Sequence, residues 1–317
     1  MSLTVVKPGM LTTVQDLGRH GYQGLGVPVS GPMDLYSHRL ANLVLGNDPM
    51  AAALEITLMG PELVADGAVT CAIAGAEIEA TVDGHPVPPN TPFAVASGGR
   101  IRFGQRRHGA RLSLAVRGGF DVPATLGSRA THLVSRMGPF GGRALKAGDV
   151  LPVGSAPSHP SSPSRSSDPS PESPPCPLEL PRGGARLRVV PAVHRHRFTD
   201  EAWTLLLREQ FVITPQSNRM GYRLDGPALR HVDSADILSE AVPLGAIQVP
   251  ASGQPILLLS GRATTGGYAT IANVISADLP IAGQLAPGDW IVFNATTHAG
   301  ALDALRARES DLTGVRV

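Results

Sequence analysis

Short apolar runs, each closed by glycine, proline or aspartate, recur along most of the chain. VTCAIAG, AEIEATV, RIRFG and RLSLAV come first; RLRVV, AIQVP, PILLL and WIVF follow after a long polar interval. Val, Ile and Leu dominate them, the composition of strands that end where the chain leaves the pleat. Helical signals are confined to three stretches. Met33–Leu45 (MDLYSHRLANLVL) follows Pro32, which suits a first helical position, and stops at Gly46. Thr199–Gln210 offers Thr199 as N-cap, with Asp200 and Glu201 set against the positive end of the helix dipole. A last helix is expected over Gly300–Arg308. The pattern predicts a mainly β fold with a few short helices.

The pattern fails at 154–181, GSAPSHPSSPSRSSDPSPESPPCPLELP. Proline and serine dominate, no apolar period survives, and too little surface can be buried to offset ordering, so the stretch reads as a linker. It divides the chain into domains 1–153 and 182–317. The two halves echo each other weakly: GPEL (60–63), DGHPV (83–87) and GGRIRFG (98–104) reappear in order as GPAL (226–229), SGQPI (252–256) and PGDWIVF (287–293). The second copy is longer between its last two landmarks, and the insertion contains LLLSGRATTGGYATIANV, 257–274. Insertions on a rigid β scaffold are where function tends to sit.

Composition narrows the picture. Aromatic residues are only 4% of the chain, so aliphatic side chains must build the core. A net charge of +1 argues against a nucleic-acid tract or a membrane-binding face. Cys71 and Cys176 are the only cysteines, too few for a disulfide framework or a zinc set, which points to a reducing compartment. MSLTVVKPGML lacks the apolar region of a secretory signal, and no apolar run is long enough for a bilayer, so a cytoplasmic location is expected.

Four groups of residues could carry chemistry. In TTGGY (264–268), Gly266 and Gly267 can take positive φ and turn successive N–H groups inward as an anion cradle; Thr264 and Thr265 add hydroxyls and Arg262 a charge. A plain hairpin turn would use the same glycines. Arg129, Arg143 and Arg219 lie beside glycines, where a guanidinium can grip a carboxylate or phosphate through two bonds or clamp the loop structurally, the second being favoured for Arg143. The long loop 12–34 holds Gln15, Asp16, Arg19 and Asp34, which could converge at the start of the first helix or form an Ω-like loop tied by Asp16 and Arg19. Glu55, Glu240 and Gln248 are polar residues in apolar surroundings, suited to general acid–base work or to structural hydrogen bonds. His194 and His196 in VHRHRF lack further ligands and read as exposed strand or loop residues. There is no GxxxxGK[ST], HExxH, CxxC or GxSxG, nor a biotin-carrier AMKM.

Longer motifs carry a family resemblance. TTVQDLGRHGYQGLGVPVSGPMD, RLANLVLGN, ALEITLMGP, GGFDVPATLGSRAT and GGRALKAGD precede the linker; FTDEAW, SNRMGYRLDGPAL, ILSEAVPLGAIQVPASGQPI, TTGGY and QLAPGD follow it. The chain resembles the KipA family, which contains the C subunit of 5-oxoprolinase and is also called allophanate hydrolase subunit 2. It is similar, too, to subdomains A and B of the urea carboxylase carboxyltransferase domain. The resemblance implies two tandem cyclophilin-like β-barrel domains. It implies a KipI-like protein (the B subunit) and a LamB/YcsF-like protein (the A subunit) as partners, and ATP, shared by the complex, to open 5-oxo-L-proline to L-glutamate. Its alternatives are a carboxyltransferase component using biotin on a separate carrier, or a non-catalytic regulator that binds a KipI-like protein. Under the first reading Glu240, Gln248 and Asp34 are the catalytic candidates. Arg219, Arg129, Thr264, Thr265, Gly266, Gly267, Tyr268, Gln15 and Arg19 are the substrate-binding candidates, and no metal is expected. Where relatives read like DRQTTGGYPKIA, this chain reads GRATTGGYATIA: Gly261, Ala263, Ala269 and Thr270 replace the acidic residue, Gln, Pro and Lys, so substrate recognition is expected to differ more than fold.

Overall fold

The computed structural model describes residues 1–155 and 177–314; most of the predicted linker 154–181, with Cys176, lies outside them. The chain packs as two compact units. The second holds His20–Val29 and Pro181–Glu309, and the first holds the other described residues. His20–Val29 lies inside the first predicted domain, but a polar, glycine-rich loop has no apolar period by which sequence could assign it.

In the first unit the strands are β1 (Ser2–Lys7), β2 (Leu11–Gln15), β3 (Ala53–Thr57), β4 (Glu62–Asp66), β5 (Val69–Val82), β6 (His85–Pro86), β7 (Phe93–Val95), β8 (Arg100–Val116) and β9 (Val150–Pro152). They form one curled half-barrel sheet in the order β2-β3-β8-β4-β1-β9, with β5 joining β8 to the short β6 and β7. The runs VTCAIAG and AEIEATV, expected as separate strands, are one strand, β5. Gly75 has φ of 104°, but the register slips beside it and the ladder to β8 continues. Gly75 is therefore a bulge rather than a turn, and the chain bends without reversing. RIRFG and RLSLAV merge in the same way into β8. Leu3, Leu54, Ile56, Leu63, Ile73, Ile101, Leu112 and Leu114 belong to its buried core.

The first helix, α1, runs Leu35–Val44. It begins later than the sequence suggests because Asp34, not Pro32, defines the end: its carboxylate accepts from Ser37 N at 2.9 Å and Ser37 Oγ at 2.6 Å. A short turn, α2 (Pro139–Gly142), carries left-handed φ at Phe140 and Gly141 and is no true helix.

The second unit contains β10 (Gly184–Pro191), α3 (Asp200–Arg208), β11 (Phe211–Ile213), β12 (Gly221–Asp225), β13 (Asp236–Ala241), β14 (Ala246–Gln248), β15 (Ile256–Leu258), β16 (Thr265–Tyr268), β17 (Thr270–Val274), α4 (Leu279–Gly283), β18 (Trp290–Ala295) and α5 (His298–Thr313, whose last residues belong to the first unit). Seven strands close a barrel in the order β10-β17-β14-β15-β12-β11-β18, sealed by parallel pairing of β18 with β10. Closure leaves no unpaired edge. Leu187, Val189, Phe211, Tyr222, Ile247, Leu257, Ile271 and Phe293 are buried. Thr199 caps α3 as expected, its hydroxyl accepting from Ala202 N at 3.1 Å. β13 and β16 form a separate two-stranded ribbon.

Candidate functional site

The ribbon gathers most of the second-unit candidates. TTGGY is not a turn tip. Thr265–Tyr268 is the strand β16, antiparallel to β13, with Glu240 opposite Gly266 and Ala241 opposite Thr265. Neither Gly266 nor Gly267 has positive φ, so the expected cradle of inward N–H groups does not form. Gly266 is needed for closeness instead. A Cβ there would lie 2.7 Å from Gln248 Nε2 and 2.9 Å from Val242 Cγ2. Gln248, buried on β14, uses that same Nε2 to donate to Tyr268 O at 3.1 Å.

Glu240 departs from the expectation of an apolar setting. Its side chain is 45% exposed, and its neighbour is His194. Conversely His194, expected at the surface, is only 12% exposed, with Nε2 3.7 Å from Glu240 Oε1. Thr270 N lies 3.3 Å from His194 Nδ1. A backbone N–H can only donate, so Nδ1 accepts and the neutral ring carries its proton on Nε2, facing Glu240. At 3.7 Å the two side chains are neighbours without a hydrogen bond, and the solvent-exposed Glu240 carboxylate can take a proton from water.

A cavity of about 320 Å³ opens at the end of the ribbon, lined by Gln23, Val29, Val242, Pro243, Arg262 and Thr264 among others. Arg262 Nε donates to Val242 O at 3.0 Å, and burial holds its guanidinium below the usual arginine range. Arg219, also in this unit, is buried, which lowers it to about 10 against a smaller opposing effect of Tyr222.

The remaining candidates belong to the first unit and are mostly engaged with its backbone. Gln15 Nε2 donates to Thr13 Oγ1 at 3.0 Å and Thr131 O at 3.1 Å. Arg19 donates to Thr125 O at 2.9 Å and Ala130 O at 2.6 Å. Asp16 accepts from Gly18 N, Ser128 Oγ and Arg129 N. This is the tied-loop alternative, although Gln15 Oε1, Arg19 Nη1 and Thr131 Oγ1 stay buried without a hydrogen-bond partner among the described residues. Asp34 is occupied as the α1 cap. Arg129 binds Val122 O and Asp121, and Arg143 grips Asp149 through two bonds of 2.6 and 2.8 Å. Glu55 accepts from Met33 N.

Among the described residues no group of three or more His, Cys, Asp or Glu is placed to hold a metal, and no helix is long and apolar enough to cross a membrane. The cavity does not fit a nucleotide: one guanidinium, a hydroxyl and an amide face a triphosphate's charge, and the glycine cluster 138–142 leads into no helix. His194 and Arg262 are the residues sequence reasoning undervalued. Neither sits in a motif that announces its partner, because each partner lies well away along the chain.

A family model described as carboxyltransferase domain, subdomain A and B, matches residues 25–295. The C subunit of 5-oxoprolinase from Escherichia coli (strain K12) is 38% identical over 309 residues, 97% of this chain and 94% of that protein. That of Haemophilus influenzae is 33% identical, over 96% of this chain and 94% of that protein. The crystal structure of Kluyveromyces lactis urea carboxylase superposes with a TM-score of 0.89 at 33% identity, covering 99% of this chain and 29% of that one.

Proposed function

Because the chain belongs to the carboxyltransferase subdomain A and B family, we propose that it is the C subunit of a 5-oxoprolinase-type hydrolase, opening 5-oxo-L-proline to L-glutamate with the KipI-like and LamB/YcsF-like subunits. The observation that carries this reading is the correspondence with nearly the whole of a 5-oxoprolinase C subunit, with 38% identity. A cytoplasmic location goes with it, as does the free thiol of buried Cys71.

Opening the lactam adds water to the ring carbonyl, breaks the C–N bond and leaves a carboxylate and an amine. In this chain Glu240, which lies beside His194, takes the proton of the attacking water and returns it to the leaving nitrogen. Gln248 holds β16 against the barrel through Tyr268 O, which keeps Glu240 opposite Gly266. In the complex ATP would activate the lactam carbonyl by phosphorylation, the phosphoryl group leaving as phosphate when water has attacked and the ring opens; the cavity beside Arg262 does not fit a nucleotide, so we place the ATP site on a partner protein.

The similarity to urea carboxylase favours one second reading, carboxyl transfer from a biotin carried on another protein. Purifying the chain alone and with its KipI-like and LamB/YcsF-like partners, then following glutamate release, separates the two. Release requiring all three proteins, and falling about a hundredfold in Glu240→Gln, supports the hydrolase. Release by the single chain, or none by the full set, overturns it.

A further inference from the structure

Some arginines of the second unit meet carboxylates: Arg188 binds Asp278 at 2.6 Å and Arg195 binds Asp200 at 2.8 Å. Among the described residues Arg262 meets none. Its hydrogen bond runs from Nε to Val242 O, and burial holds its guanidinium below the usual arginine range. Tethering Nε fixes the plane of the fork and leaves the two terminal nitrogens as its remaining donors.

The space beside it is small and mixed. The cavity of about 320 Å³ is at the low end of the ~300–1,000 Å³ usual for ligand sites. Val29, Val242 and Pro243 give it apolar walls, and Gln23 and Thr264 give it polar ones. Gln23 Oε1 accepts from Gly21 N at 2.9 Å, which leaves its amide hydrogens as donors. A half-buried cation lacking a counter-ion among the described residues, with a second donor and apolar walls, matches a compact organic anion of single charge. A phosphate would bring more charge than one guanidinium neutralises.

We propose that this cavity binds a small monocarboxylate through Arg262, and, resting on the hydrolase reading above, that it takes the carboxylate of 5-oxo-L-proline. The assignment differs from the sequence expectation, which gave that role to Arg129 and Arg219. Arg129 is committed to Val122 O and Asp121, whereas Arg262 lines a cavity at the end of the ribbon that carries Glu240.

The test compares 5-oxo-L-proline with 2-pyrrolidinone, the same ring without the carboxylate, by calorimetric titration of the assembled complex and by arginine Nε–Hε NMR of the chain. The expected result is that 5-oxo-L-proline binds at least about tenfold more tightly and shifts the Arg262 signal, identified by its loss in Arg262→Lys. Arg262→Gln removes the preference, and Arg262→Lys, which keeps the charge but not the fork, retains part of it. Equal affinity for the two compounds, no binding of 5-oxo-L-proline to the complex, or an unchanged preference in Arg262→Gln overturns the site. The site and the reaction fail separately. Selective carboxylate binding without glutamate release sinks the reaction and keeps the site; glutamate release at full rate in Arg262→Gln sinks the site and keeps the reaction.

Discussion

Gly266 and Gly267 are adjacent in sequence and differ in what surrounds them. A methyl on Gly266 collides with Gln248 Nε2 and Val242, whereas the nearest atoms to one on Gly267 are 3.5 Å away. Gly266→Ala is therefore expected to cost about 1–3 kcal/mol and to break the Gln248–Tyr268 bond, while Gly267→Ala is tolerated; thermal melts of the two variants decide it. His38 gives a second prediction. It is fully buried, and burial outweighs the opposing influence of Asp16 to pull its pKa to about 4. Between pH 4 and the unfolded value near ~6.5 the unfolded chain binds a proton that the folded chain does not. Stability is then full above that window and falls as pH drops through it, by on the order of 3 kcal/mol. His38→Gln is expected to flatten this part of a melting-temperature profile. None of this was legible from residue type: the glycine pair could be read for a turn as easily as for a close approach, and a histidine's burial depends on which strands cover it.

Helices were more legible than strand boundaries. The Thr199 cap could be named from sequence because capping is local: a hydroxyl, an acidic first turn and an apolar stripe lie within a few residues. Asp34 could equally have been named as a cap, but its place in a motif-rich loop suggested catalysis. If it serves the helix alone, Asp34→Ala lowers stability by about 1 kcal/mol in a denaturant titration and leaves glutamate release per folded complex unchanged. Strand limits were harder. Gly75 ends a run by composition yet only bulges β5, because the ladder to β8 that carries the strand past it is a long-range contact. TTGGY became a strand for the same kind of reason, since its partner β13 lies well upstream, beyond the reach of any local pattern.

For the molecule as a whole, the pattern of short apolar runs was enough for the β class. It did not show that one sheet curls without closing and the other closes. Closure depends on β10 meeting β18, two strands separated by nearly the entire second unit. The candidate site followed the same rule: Glu240, Gln248 and Tyr268 were each visible as residues, but the ribbon that joins them, and the His194 and Arg262 beside it, arise only from long-range pairing.

The seam between β10 and β18 also sets an order of events. During synthesis Gly184–Pro191 emerges first and has no lateral partner on that side until Trp290–Ala295 follows. At the seam Gly184 lies so close to the Trp290 ring that an added Cβ would sit 2.2 Å away. The barrel is thus a ring whose last-synthesised strand supplies the clasp, and at that clasp one bare backbone position leaves room for one indole.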